Sequence, residues 1–158
     1  MKTTVVGFLL FCLAAFSGNL LSAQPDLVFV NSTNGETKEL SLDDILSLDQ
    51  AVVRTANEFV DGEREFTGPL MRDLLMACKA GAATHVRLIA ANDYQIEVEV
   101  EEFFTYDVIL AHSMDNERLS RRDKGPLWLI YPMSENAELN DPVFNSRLIW
   151  QVVRVEFW

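Results

Sequence analysis

The chain has 158 residues, 49% hydrophobic and 23% charged, with 13 Lys and Arg against 24 Asp and Glu for a formal net charge of −11. An acidic surface of this size argues against nucleic acid or an anionic membrane as partner, because both are themselves negative. It leaves a small ligand open, since a pocket can be locally basic.

Met1 and Lys2 precede a mostly apolar run from Val5 to Phe16, and Leu21-Ser22-Ala23 gives a small-residue exit before Gln24. A short positive start, an apolar centre and a small-residue end predict a cleavable signal peptide over residues 1–23. The apolar run is shorter than the roughly 20 residues of a relaxed bilayer span. An uncleaved anchor is the alternative reading. Residues 24–158 are then one domain, expected in the periplasm with no membrane insertion after cleavage, and losing Lys2 makes the net charge one unit more negative. Cys12 falls within the leader, so Cys78 is left without a disulfide partner and the core must supply the stability.

Leu27–Val30 reads as a short strand, and Asn34-Gly35 as a turn into a second run, Glu36–Leu40. Ser41 can cap a short helix that carries Asp43 and Asp44 in its first turn and buries Ile45 and Leu46. Ala51–Thr55 is a strand, and Asp61-Gly62 turns into Glu63–Phe66. Gly68-Pro69 opens a helix in which Leu70, Leu74 and Cys78 share one stripe, with Gly81 expected as its terminator. That spacing makes Cys78 a packed, inert thiol rather than a reactive one. Thr84–Ala90 and Tyr94–Val100 form a predicted hairpin around Asn92-Asp93, with Glu97 and Glu99 on its solvated face. Val108–Ser113 and Leu127–Tyr131 are further strands on either side of a charged loop. An irregular stretch, Pro132 to Ser146, leads to a closing strand, Ile149–Phe157. Many short strands, two or three helices and two long loops describe a mixed α/β, or α+β, domain; loops of that length concentrate function or disorder.

Catalytic patterns are weak. His85 and His112 each lie in an apolar strand pattern without a metal-ligand neighbour, and no nucleophile elbow or Cys–His signature is present. The segment from Arg121 to Pro126 differs, because Arg121, Arg122 and Lys124 gather three cations around Asp123 in an acidic protein. The strand after it carries Trp128 and Tyr131, and the tail supplies Asn145, Ser146, Arg147 and Trp150. Indoles, cationic donors and one carboxylate suit a planar polar heterocycle: rings stack on Trp, and the carboxylate accepts from an amidine-like edge. A surface ion-pair cluster over core tryptophans accounts for the same composition equally well.

The order Phe66-Thr67-Gly68-Pro69-Leu70-Met71-Arg72-Asp73-Leu74-Leu75, then Asn92-Asp93-Tyr94, then Arg122-Asp123-Lys124-Gly125-Pro126-Leu127-Trp128-Leu129-Ile130-Tyr131-Pro132, resembles the sulfite-oxidase-type molybdopterin-binding fold. Asn145-Ser146-Arg147-Leu148-Ile149-Trp150-Gln151 resembles the last motif of that fold's small exported bacterial members, the metal-free periplasmic pterin-binding regulators. The resemblance implies a ligand site of Arg122, Asp123, Lys124, Trp128, Tyr131, Asn145, Ser146, Arg147, Trp150 and Thr55, holding a reduced pterin rather than molybdopterin. Catalytic relatives carry a molybdenum-ligating cysteine on the strand that matches Ala51–Asn57, near the position of Thr55, and tend to have an arginine where this chain has Trp128. The resemblance therefore implies no catalytic residue, no metal, and a regulator acting on the periplasmic part of a membrane signalling protein that controls cyclic di-GMP. A molybdopterin-dependent oxidoreductase with another ligand, or a protein-interaction module without a ligand, are the alternatives.

Overall fold

Apolar residues at alternating positions decide which way each strand of this chain faces, and two runs without alternation are buried on both faces. The computed structural model describes residues 24–158. The expected signal peptide, residues 1–23, lies outside the described residues. The strands are β1 (Leu27–Asn31), β2 (Thr37–Leu40), β3 (Ala51–Thr55), β4 (Arg64–Gly68), β5 (His85–Ala90), β6 (Gln95–Glu99), β7 (Ile109–Ala111), β8 (Ser113–Met114), β9 (Glu117–Arg118), β10 (Trp128–Ile130) and β11 (Val152–Phe157). The helices are α1 (Leu42–Leu46), α2 (Met71–Ala77), α3 (Val100–Thr105) and α4 (Pro142–Ser146).

A five-stranded sheet runs in the order β2-β1-β11-β5-β6, a four-stranded one β3-β4-β8-β9, and β7 pairs with β10 between them. All pairings are antiparallel except β1 with β11. The large core lies against the five-stranded sheet and gathers Phe29, Leu74, Leu75, Leu88, Phe103 and Val155. A smaller core holds Val53, Phe66, Ile109, Ala111, Trp128 and Ile130. The β7–β10 pair separates them: Leu110 and Leu129 join the large core, while their neighbours Ile109, Ala111, Trp128 and Ile130 join the small one. Period-two geometry thus explains the unbroken apolar runs around Leu110 and Leu129.

Local signals place most elements. Ser41 caps α1 through a reciprocal bond with Asp44, the Asp44 N–H donating to the Ser41 hydroxyl at 3.2 Å and the Ser41 N–H donating to the Asp44 carboxylate at 2.8 Å. Gly68 is needed where β4 crosses β7, because a Cβ there would lie 2.2 Å from the Leu110 carbonyl oxygen. Cys78 is buried, and desolvation pushes its thiol up to about 11, so it is an inert packing group.

Three sequence expectations change. The α2 helix is ended by Lys79, which takes the left-handed conformation at φ 60°, and not by Gly81. Gly81 instead leaves room for the Met76 sulfur, 2.3 Å from where a Cβ would stand. The hairpin's second strand stops at Glu99, and Val100 opens α3 with Val100 and Phe103 buried. The stretch expected to be irregular from Pro132 to Ser146 contains α4, where Pro142 occupies the first turn and the Asp141 carboxylate accepts from the Val143 N–H at 2.8 Å. Among the described residues no helix is long and apolar enough to cross a membrane.

Candidate functional site

The connection after β10 and the single turn of α4 bring the C-terminal segment back across the end of the β5–β6 hairpin. There a cleft of about 230 Å³ is lined by Phe59, Asn92, Tyr94, Asn145, Ser146 and Trp150. Buried Ala90, Leu148 and Ile149 close its base. Phe59 meets Trp150 edge to face, with centroids 5.1 Å apart. The Asn92 side-chain oxygen accepts from the Tyr94 N–H at 3.2 Å, which leaves its NH2 free to face a ligand. The Tyr94 hydroxyl donates to the Ser146 carbonyl at 2.9 Å and straps the hairpin to α4.

Gln151, next to Trp150, adopts a left-handed backbone at φ 54°, just before β11 slips register against β5 between Val152 and Arg154. Positive φ at a non-glycine and a bulge both mark places where the fold holds a local constraint. Its side-chain NH2 donates to the carbonyls of Arg121 at 3.1 Å and Asp123 at 2.9 Å, latching the cationic loop beside the cleft. Gly125 makes the loop's tight closure possible, since a Cβ there would sit 2.1 Å from the Leu119 carbonyl oxygen.

The residues expected to form the ligand site fall into three groups. Asn145, Ser146 and Trp150 line the cleft. Arg122, Asp123 and Lys124 lie on the latched loop and not in the cleft lining; Lys124 pairs with Asp123 at 3.2 Å and sits 5.4 Å over the Trp128 ring. Trp128, Tyr131 and Thr55, also expected in the ligand site, are fully buried and lie outside the cleft lining. Trp128 packs edge to face on Phe66 at 5.4 Å and donates its indole N–H to the Leu148 carbonyl at 3.0 Å, so no face is left for stacking. Tyr131 donates to a Glu102 oxygen at 2.6 Å. Burial and the Glu102 charge together hold its phenol well above its usual range.

Arg147 also turns away from the cleft. It pairs with the other oxygen of Glu102 and lies over the Phe144 ring at 4.9 Å, facing a separate, acidic groove. The short helix α4 is therefore anchored on one side by Glu102, Tyr131 and Arg147, and shows Asn145 and Ser146 to the cleft on the other. Phe59, Asn92 and Tyr94 were missed as site residues, although Asn92-Asp93-Tyr94 is one of the segments that carry the family resemblance. Their convergence joins positions far apart in the chain and leaves no local signal.

A profile of the oxidoreductase molybdopterin binding domain matches residues 28–138. The chain belongs to this family. The match includes Phe59, Asn92 and Tyr94 and stops before the Asn145–Trp150 wall. The sulfane dehydrogenase SoxCD of Paracoccus pantotrophus has the same fold, with a TM-score of 0.62 and 15% identity over 84% of this chain. This chain spans 37% of that longer protein. No curated protein matches it in sequence. The fold is thus the sulfite-oxidase-type molybdopterin-binding one, in a single domain.

The family's metal-bearing cofactor does not fit the donors present. Thr55 stands near where the resemblance places the ligating thiolate, and its hydroxyl is already used: it donates to the Ala56 carbonyl at 3.1 Å and accepts from the Ser134 N–H at 3.1 Å. Ser134 returns the contact by accepting from the Ala56 N–H at 3.0 Å. A neutral, hydrogen-bonded hydroxyl is a poor ligand for a metal that prefers soft thiolate. Among the described residues no group of three or more His, Cys, Asp or Glu is placed to hold a metal ion. His112 is 7% exposed, with Nε2 against the Gln50 side-chain oxygen at 2.9 Å, and burial lowers its pKa.

Proposed function

We propose that this chain is a periplasmic pterin-binding protein without catalytic activity of its own, acting as a ligand-sensing regulator of a membrane signalling protein. The single observation behind the reading is the aromatic and amide-lined cleft at Phe59, Asn92, Asn145 and Trp150 in a molybdopterin-binding fold. A pterin is a flat ring whose edge alternates donors and acceptors. Aromatic edges and faces hold its plane, and the two amides each supply both kinds of hydrogen-bond partner. The loop carrying Arg122, Asp123 and Lys124 is held beside the cleft by Gln151, and its exposed Asp123 is the carboxylate to accept from the 2-amino edge of a bound ring. Engagement of Thr55 by Ser134 favours a metal-free ligand. Control of cyclic di-GMP through the membrane partner is what the family resemblance adds.

Native mass spectrometry of protein purified from its own periplasm tests the reading directly, because ligand, metal and mature N-terminus appear in one spectrum. The expected species starts at or near Gln24 and carries a pterin-sized mass. Stoichiometric molybdenum would restore the molybdopterin-dependent oxidoreductase. Retention of Met1 in a membrane pellet would overturn export. Calorimetric titration with 7,8-dihydroneopterin should give saturable heat, and its absence would leave the cleft without its proposed ligand.

A further inference from the structure

The cleft's lining contains no charged side chain among the described residues, in a protein whose surface is strongly acidic. We infer that the site selects uncharged planar heterocycles and rejects their phosphorylated forms. For the pterin this rests on the proposed function; the preference for neutral solutes does not.

Of the cations near the cleft, Arg121, Lys124 and Arg147 are paired with carboxylates, and Arg122 lies on the exposed loop outside the cleft lining. Arg147 is paired with Glu102 and faces the opposite groove. Lys124 is paired with Asp123 and lies over the ring of Trp128, which is itself sealed in the small core. Arg121 is paired with Asp26. The Gln151 amide fixes the loop through the backbone carbonyls of Arg121 and Asp123, so the loop is held by its main chain rather than by its charges. A phosphate entering between Trp150 and Asn145 would give up water without gaining a counter-charge, which is unfavourable when a charge is even partly buried. The surrounding negative field would oppose it further. The Asn92 and Asn145 amides can satisfy lactam, amino and hydroxyl groups, all of them neutral, and the Ser146 hydroxyl, which donates to the Val143 carbonyl at 2.6 Å, can still accept.

A matched pair of ligands separates the effect from general affinity. Wild-type protein is titrated by calorimetry with 7,8-dihydroneopterin and with its monophosphate, at low salt. The neutral compound should bind at least about tenfold more tightly. Asn145→Lys, which places a cation on the wall, should shrink or reverse that ratio. Equal or tighter binding of the monophosphate by wild type would overturn the inference, and loss of that binding in Arg122→Ala would identify the loop as the missing counter-charge.

Should neither pterin bind, the proposed function fails and the charge preference is still measured at Trp150. Neutral acrylamide and anionic iodide are compared as fluorescence quenchers of wild type and Trp150→Phe. The component lost in Trp150→Phe should be quenched by acrylamide and little by iodide, and Asn145→Lys should open it to iodide. Equal access of the two quenchers to Trp150 in wild type would overturn the inference without reference to any pterin.

Discussion

Trp128 and Trp150 meet edge to face with centroids 6.4 Å apart and an interplanar angle of 88°, and their backbones form a bridge. On the Trp128 side the indole is enclosed by Phe66 and its N–H is consumed by the Leu148 carbonyl. On the Trp150 side the ring is only partly covered and borders the cleft with Phe59. Two identical side chains in contact thus divide the labour, one packed in the small core behind the cleft and the other lining the cleft itself. The difference arises from strand parity. Trp128 lies on a doubly buried strand where every position points into a core, whereas Trp150 lies on the connection just before β11, outside the ladder. An aromatic residue near a ligand site acquires its role from which layer its strand position serves.

The sharpest way to break this division is Trp128→Ala. Losing a fully buried indole and stranding the Leu148 carbonyl should cost about 3–5 kcal/mol of stability, read as a lowered urea midpoint with m unchanged. Trp150→Ala should cost about 1 kcal/mol and instead remove ligand binding. If the two variants lose stability alike, the indoles do not differ in role. The anchor of α4 comes next. Tyr131→Phe leaves one Glu102 oxygen without its donor, and Arg147→Ala removes the partner of the other; each should cost about 1–3 kcal/mol. Because the same helix carries Asn145, each should also raise amide exchange at Asn145, Leu148 and Ile149, and unchanged exchange there would detach the anchor from the cleft wall.

His112 sharpens the contrast with a pH effect. Burial lowers its folded pKa below the usual 6.5, with Arg118 adding to the shift, so the unfolded chain binds a proton more readily than the fold. Its contribution to stability is complete above about pH 6.5 and is lost as pH falls through the folded value. The fall in melting temperature between about pH 7.5 and about pH 5.5 should be smaller in His112→Gln than in wild type. The smallest effect on stability belongs to Asp123→Ala, whose side chain is 68% exposed and whose ion pair with Lys124 is superficial. It should change stability by less than about 0.5 kcal/mol. If the loop closes over the pterin, the same change should weaken binding by about 1–3 kcal/mol; unchanged affinity would confine the site to the cleft.

Where local chemistry suffices, the chain could be read from its residues alone. Ser41 and Asp44 announced α1, Gly68-Pro69 announced α2, and alternation from Ile96 to Val98 set the face of β6. Helix α3 escaped because the alternating pattern runs on through Val100, and only Val100 and Phe103 mark the change of period. Asp141-Pro142 did carry a helix-start signal for α4, but in a segment dominated by loop residues. The site was legible in part. Of the residues expected in the ligand site, Asn145, Ser146 and Trp150 line the cleft, while Trp128 and Tyr131 lie in the core, because aromatic composition does not reveal which strands are buried twice. An unbroken apolar run such as Leu127–Tyr131 was the available warning. Phe59 and Asn92 meet Trp150 only through tertiary folding.

The parallel pairing of β1 with β11 bears on the order in which the domain can be assembled. Strand β11 lies between β1 and β5, so Val152–Phe157 fills the middle of the sheet that Leu27–Asn31 begins. A chain emerging from the ribosome with residues only as far as Ile149 has β1–β2 and β5–β6 as two separate ribbons, with a strand-wide gap between them. Hairpins of that size are marginal alone, so the large core cannot close until Phe157 has been synthesised. Contacts spanning nearly the whole described chain make folding slow relative to local structure.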